Sequence, residues 1–498
     1  MEIIQKQSLQ SSTIHLAGAI IGALSTIFIY PLDLGLYGIY GFLTNTASLV
    51  VPFITLGFGS VLLRYFPYYN FSKKNYAGFF GFIFSGYALG ILIFCSVFLI
   101  FYPEILSFLS KSDDQIKSFV IILLPLTILY VIFELFNTIS INFQQITIPA
   151  LVIFIMKLLL PILFILSVQN ILTRFQFSIC ICLYYVLAIC WLILYLKKKD
   201  KLFVDLSFNY KPFTRIKQML KFAGFSILGG ASAILALRID SILVTSFIGA
   251  EANGQFTLAI FICNVAYIPA TALTDSLNAV VSAISKNQDN SELQKIYTKS
   301  SRNMFIPTLW IAMCIYVSFL SLSQLMPNTE KVAYIYPAIG WLLLARIIDA
   351  MTGVNHHILS YSKYYTLELY LLLLMAILNI ILNYVLLPIY GIHGAAFATF
   401  ASVCIYNILK TWIVYLKLGL HPFSKETFQI AVIGIGYTIF ILNISFPFNA
   451  FANLLIYSGI LSILFLGTLY YLNLSPDLNQ LIISIFKKLN RNNLPRST

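Results

Sequence analysis

Nine charged side chains of this 498-residue sequence lie inside stretches otherwise apolar enough to sit in lipid. They are the cations Lys157, Arg238, Arg346 and Lys410 and the acids Glu134, Asp240, Asp275, Asp349 and Glu368. A charge at mid-bilayer costs at least a few kcal/mol, so such residues turn toward the protein interior or a water-filled cavity and mark a route for ions or anions. Lysine and arginine suit an anion such as phosphate or pyrophosphate, arginine through its bidentate fork. A buried acid is suited to carrying a coupling proton. For each acid an interhelical ion pair is the plainer alternative.

Spacing divides these charges. In "LLARIIDAMTGVNHH" (Leu343–His357) Arg346 and Asp349 are three apart and share a helix face, which Gly353 and His356 extend, so they either neutralise each other or line a cavity together. In "LRIDSILVTSF" (Leu237–Phe247) Arg238 and Asp240 are two apart, about 200° around a helix, and at least one needs a partner on another helix. Uncharged polar residues form further stripes: Asn45, Ser48, Pro52, Thr55 and Gly59; Asn264, Thr271, Asp275, Asn278 and Ser282, with Pro269 expected to break or bend that span; and Thr399, Ser402, Tyr406 and Lys410. Glu134 goes with Asn137, Lys157 with Pro161, and Glu368 with Asn379 and Asn383. One Asn, Ser or Thr in a span is more often glue between helices. Spread over seven helices, these positions predict a polar central cavity. The candidates for binding substrate are Arg238, Arg346, Lys157, Lys410, Asn45 and Asn278. The candidates for ion coupling are Asp240, Asp275, Asp349, Glu134 and Glu368.

The elements that must position them follow from composition. Hydrophobic residues make up 59% of the chain and charged residues 10%, with mean hydropathy +0.88, far from the soluble pattern in which about a quarter of residues are charged. Apolar windows long enough for a ~30 Å hydrocarbon core recur throughout, and in lipid such windows must be helices to satisfy their own backbone. Fourteen are read: 11–31, 39–63, 77–101, 116–141, 147–168, 173–196, 220–247, 255–284, 303–325, 333–353, 364–387, 391–416, 427–446 and 450–472. The expected fold is an all-α polytopic membrane protein with two six-helix bundles and a C-terminal pair. Most of the 31 Lys and Arg fall on one set of alternate loops, which puts both termini in the cytoplasm. The net charge of +13 therefore faces anionic headgroups, and its scatter argues against nucleic acid as a partner. With no basic leader or cleavage site in view, the first span is expected to stay as a signal anchor. All seven cysteines fall inside spans and read as free thiols, with no metal motif.

The longest polar connection, "LKKKDKLFVDLSFNYKPFTRIKQMLK" (Leu196–Lys221), divides the chain, and its "TRIKQMLKFA" portion has the spacing of a surface amphipathic helix. A six-helix lobe over 1–196, a basic linker over 197–221, a second lobe over 222–416, a helix pair over 417–472 and an amphipathic cytoplasmic tail over 473–498 follow. A short internal match supports the repeat: "DLGLYGIY" (Asp33–Tyr40) and "GAEANGQF" (Gly249–Phe256) align their second glycine and the aromatic after it. The tail opens on a Ser475-Pro476-Asp477 helix start.

Three segments carry a family resemblance. "LGFGSVLLRYFPYY" (Leu56–Tyr69), "LNYVLLPIYGIHGAAFAT" (Leu382–Thr399) and "ARIIDAMTGVNHHILSYSKYY" (Ala345–Tyr365) are similar to segments of polysaccharide flippases in the multidrug/oligosaccharidyl-lipid/polysaccharide exporter superfamily. Span count, length and loop order match along nearly the whole chain. The resemblance implies a flippase that moves an undecaprenyl-pyrophosphate-linked oligosaccharide to the outer leaflet of the bacterial inner membrane, for O-antigen, capsule or exopolysaccharide. Its implied partners are that lipid-linked oligosaccharide, the phospholipid bilayer and other polysaccharide-assembly membrane proteins. No cofactor is implied, and coupling would be to H+ or Na+.

Three alternatives remain. The lipid II flippase group also has fourteen spans but typically a more strongly basic N-terminal lobe, whereas here spans one to three have only Arg64, near the inner end. A multidrug or cation antiporter of the same superfamily would favour an acidic cavity, against which the in-span cations argue. A membrane polymerase or ligase would place Arg or His on a sizeable outer loop, but the longest, "YPEILSFLSKSDDQ" (Tyr102–Gln115), is short and has neither. No phosphate-cradling Gly-rich loop is present either, which argues against ATP hydrolysis.

Overall fold

Apolar runs closed by short polar caps give long helices, and the computed structural model consists of little else. It describes residues 2–69, 73–202, 215–287, 289–480 and 483–484, and no strand occurs among them. The helices are α1 (Glu2–Phe28), α2 (Leu34–Ile54), α3 (Lys73–Ile100), α4 (Lys117–Asn142), α5 (Thr147–Val168), α6 (Arg174–Lys198), α7 (Ile216–Phe247), α8 (Ala250–Asn287), α9 (Asn290–Gln324) and α10 (Tyr336–Met351). The stretch Tyr365–Leu418 is broken at Gly391, whose φ of 58° and ψ of −140° are not helical, into α11 (365–390) and α12 (392–418). Helices α13 (Lys425–Leu442) and α14 (Ala450–Tyr471) are the last long helices among the described residues. The window read as one span over 39–63 is interrupted where Leu56 and Gly57 take φ of 48° and 73°, and a short helix, Phe58–Tyr65, follows.

Local chemistry explains the ends. Asp33 caps α2 by accepting from the Leu36 amide at 3.0 Å, and Thr173 with Gln176 forms a reciprocal capping box on α6. Asn449 caps α14, and Gly419 ends α12 at φ 70°. Pro269 lies within α8 without ending it, so the expected break does not occur. Proline inside a membrane helix is tolerated when neighbouring groups satisfy the freed carbonyl. The segment read as a separate surface helix, "TRIKQMLKFA", is not separate: from Ile216 onward it forms the first turns of α7. Apolar residues downstream extend its period without a break. The tail helix starts where Ser475 predicts, its Oγ accepting from the Leu478 amide at 3.3 Å, whereas residues 481–482 and 485–498 lie outside the described residues.

The chain forms two compact units. The first comprises Met1–Thr257 with Ile380–Ile392, the second Leu258–Asn379 with His393–Thr498. In the first, α2 packs along α7, α4 along α6 and α1 along α5, around a core that includes Phe58, Phe66, Phe80, Phe136 and Leu192. In the second, α9 packs against α10, α13 and α14 around Phe305, Leu309, Ile441 and Phe465. Large apolar side chains such as Leu92, Leu187, Ile389 and Ile463 are exposed on helix surfaces, as lipid-facing residues should be.

Candidate functional site

The polar side chains of the spans separate into those satisfied by their own helix and those that reach across. Ser48, Thr271, Thr399 and Ser402 donate to carbonyls four residues back at 2.7–3.0 Å. Amide and charged side chains reach across instead, and they form one cluster in each unit.

In the first unit Arg238 and Asp240 diverge as their spacing requires. Arg238 of α7 is exposed, and its Nη1 donates to Asn45 Oδ1 of α2 at 2.8 Å. Asp240 is 2% exposed, and its Oδ1 accepts from Asn383 Nδ2 of α11 at 2.7 Å. Glu134 of α4 is half-buried beside Tyr87, and a Cβ on Gly59 would stand 3.6 Å from its Oε1. Lys157 lies along α1, where a Cβ on Gly18 would be 3.0 Å from its Cδ and 3.6 Å from its Nζ.

In the second unit the buried acid Glu368 of α11 accepts from Tyr406 Oη of α12 at 2.5 Å, and its Oε1 stands 2.7 Å from His356 Nδ1. The Lys410 ammonium, on a side chain only 2% exposed, sits 4.0 Å from the centre of the Tyr406 ring and within electrostatic reach of Glu368 and Asp349. Asp349 accepts from Asn407 Nδ2 at 3.1 Å, and Asn407 Oδ1 accepts from Thr352 at 2.9 Å. Arg346 makes no ion pair with Asp349. It is half-buried, with its guanidinium carbon 5.6 Å from the Tyr267 ring centre. Asp275 and Asn278 are exposed on α8, Asn278 accepting a hydrogen bond from Tyr361.

Sequence reasoning named Arg238, Asn45, Glu368 and Lys410 as candidates and placed Tyr406 on the Lys410 stripe and His356 on the Arg346 face, but it did not join any of them into these clusters. It missed Asn407 and Thr352, although Asn407 lies three residues before Lys410 on one helix. Nothing local tied His356 to Glu368, twelve residues away, since it lies on a separate short helix, Asn355–Ser360. Among the described residues no group of three or more His, Cys, Asp or Glu converges as a metal site.

Superposed on solved structures, the chain matches the lipid II flippase MurJ in its inward closed conformation with a TM-score of 0.70, at 15% identity, over 94% of this chain and 99% of MurJ. The likeness is one of fold. An inward-facing multidrug-resistance MATE transporter of the MOP superfamily matches at 0.64 with 12% identity, covering 82% and 94% of the two chains. A MOP-superfamily transporter of Pyrococcus furiosus, described as having a binding pocket of reverse polarity, matches at 0.55 with 12% identity over 84% and 95%. In sequence the chain is 24% identical over 432 residues to the uncharacterized membrane protein MJ1068 of Methanocaldococcus jannaschii, covering 81% of this chain and 82% of that protein. No family model matches. The fold is that of a multi-pass membrane protein.

Proposed function

We propose that this chain flips an undecaprenyl-pyrophosphate-linked oligosaccharide from the cytoplasmic to the outer leaflet by alternating access, for surface-polysaccharide assembly. The observation that carries the reading is Arg238, an exposed guanidinium on α7 steadied by a neutral amide, Asn45. A pyrophosphate and a hydrated glycan cannot cross hydrocarbon unaided, whereas a prenyl tail can stay in lipid. An exposed fork of this kind would supply the missing solvation for the head group. The fold shared with the lipid II flippase MurJ supports the same reading.

The cations divide by role. Arg238 and the half-buried Arg346 have donors to offer a phosphate. Lys410 is buried against Tyr406 near Glu368 and Asp349, and holds the second unit together. Asp240, buried and met by the neutral Asn383, is the acid in this reading that exchanges the coupling ion.

The deciding experiment deletes the gene in its host and extracts undecaprenyl-linked intermediates together with surface polysaccharide. The reading expects loss of polymer and build-up of a complete repeat unit on the inner leaflet, restored by the wild-type gene and by neither Arg238→Gln nor Arg346→Gln. Unchanged polysaccharide with new sensitivity to cationic drugs would instead establish a multidrug exporter.

A further inference from the structure

Around Arg238 the first unit carries more aromatic hydroxyls than packing requires. Tyr40 of α2, Tyr130 of α4 and Tyr185 of α6 are all half-buried, unlike the core aromatics Phe80, Phe164 and Phe177, which are fully enclosed. The Tyr130 and Tyr185 ring centres are 4.7 Å apart at an interplanar angle of 41°, with their hydroxyls within hydrogen-bond reach of each other. Phe133 and Tyr184 close on Tyr185 at 5.6 and 5.5 Å. Tyr40 and Tyr130 both lie near enough to Arg238 for its charge to act on their hydroxyls.

Depth agrees with this grouping. Counted from the helix ends that the loop charges place outside, Asn45, Tyr130, Tyr185 and Arg238 sit nine to thirteen residues in, roughly 14–20 Å at 1.5 Å per residue. That is near the middle of a ~30 Å hydrocarbon core. The Arg238 fork and its Asn45 partner thus share a level with two partly open phenol rings, Tyr130 and Tyr185, while Tyr40, six residues from the start of α2, lies about one and a half turns nearer the outer end.

From this juxtaposition we infer that Tyr130 and Tyr185, with Tyr40, form a sugar-reading platform beside the Arg238 phosphate position, which takes the pyranose next to the carrier phosphate. An aromatic face meets the C–H face of a pyranose, and phenol hydroxyls exchange hydrogen bonds with its hydroxyl groups. A cationic drug would also favour an aromatic wall, but here it would sit against the Arg238 guanidinium. The inference rests on the flippase reading and adds the groups that select its cargo.

The test uses the full chain in lipid nanodiscs and two probes, a short-chain prenyl pyrophosphate and the same lipid bearing one N-acetylhexosamine, with affinity read by microscale thermophoresis. Wild-type protein should bind the sugar-bearing probe more tightly. Tyr130→Ala and Tyr185→Ala should each lose roughly tenfold on that probe, in the range of aromatic stacking on flat ligand faces. The bare probe should be affected far less. Tyr130→Phe and Tyr185→Phe keep the ring and should lose less than the alanine variants, which also controls for folding. Equal wild-type affinity for both probes, or equal alanine losses on both, would overturn the platform while leaving pyrophosphate binding by Arg238 standing. Failure of wild-type protein to bind either probe would overturn the flippase reading and the platform with it, and tight binding of tetraphenylphosphonium lost in the alanine variants would do the same.

Discussion

Gly38 of α2 and Gly254 of α8 lie against each other. A Cβ on Gly254 would stand 3.1 Å from the Gly38 amide nitrogen and 1.9 Å from the Leu34 carbonyl oxygen, and one on Gly38 would stand 1.7 Å from the Ala250 oxygen and 2.8 Å from the Gly254 amide. These are the two glycines that align in the internal sequence match, so the repeat is written into a reciprocal contact. Asn253 reinforces it by donating to the Gly38 carbonyl at 2.8 Å while accepting from Ser241 at 2.8 Å. Small residues permit this backbone approach, which is a main source of helix association in lipid. Gly38→Ala and Gly254→Ala should therefore each force the helices apart and destabilise the protein by about 1–3 kcal/mol, the usual cost of overpacking. Gly459→Ala and Gly467→Ala on α14, where nothing stands within 4 Å of the added carbon, should be neutral or better. Thermal unfolding in detergent compares the four, and a Gly38→Ala protein that melts with wild type would refute the contact.

Glu368 and Lys410 should behave as parts of one network. Glu368→Gln leaves the buried Lys410 with Asp349 as its remaining acid and removes a charged acceptor from Tyr406 and His356. Stripping one charge from a buried set costs about 3 kcal/mol or more. Lys410→Met alone should also destabilise, while the double variant should cost less than the sum of the two. A double-mutant cycle on unfolding free energies measures that coupling; strict additivity would show that the two charges act independently.

The tail is docked by charge. Asp477 Oδ1 lies 3.0 Å from Lys299 Nζ, and its Oδ2 accepts from Asn303 Nδ2 at 2.8 Å. Burial pushes the Asp477 carboxyl up, but the hydrogen bonds from Asn303 and Lys299 and the charges of Lys299 and Arg302 outweigh it and hold it below the ordinary range. A depressed folded pKa gives stability that is full above the unfolded value, near 4, and is lost as pH falls through the lower folded value. Hydrogen-exchange protection of the amides at residues 477–480 should therefore be unchanged from pH 8 to pH 5 and fall below about pH 4. Asp477→Asn should lower that protection at neutral pH and converge on wild type once Asp477 is protonated. A tail whose protection in that variant equals wild type at pH 7 would exclude the ion pair as its anchor.

The all-helical architecture was legible because the bilayer imposes one solution on a 20-residue apolar window, although the window 39–63 breaks into two helices where Leu56 and Gly57 take positive φ. The break between α11 and α12 was legible too, since the Pro388–Gly391 stretch interrupts an apolar pattern and Gly391 takes the positive φ. Partnerships were harder to read. Helical spacing told that Arg238 and Asp240 must diverge, but not that Asn45, 193 residues away, and Asn383, 143 residues away, would receive them. Likewise Arg346 and Asp349 share a face yet spend their charges on Tyr267 and Asn407, because aromatic and amide groups on neighbouring helices meet them at better geometry than they offer each other.

Asp240 provides the sharpest test of coupling. It is almost fully buried, and its Oδ1 accepts from Asn383 Nδ2 at 2.7 Å. A carboxylate inside an apolar helix is a candidate for exchanging a coupling ion, whereas Glu368 is held by Tyr406 and His356. Asp240→Asn preserves size and hydrogen-bonding capacity and removes only the charge. Protein carrying it should fold and reach the membrane normally, yet in proteoliposomes lose the response of transport to an imposed Na+ or pH gradient. Glu368→Gln should keep that response in whatever fraction of the protein remains folded. Applying the two gradients separately identifies the ion, and an Asp240→Asn protein that still follows either gradient would move the coupling role away from this residue.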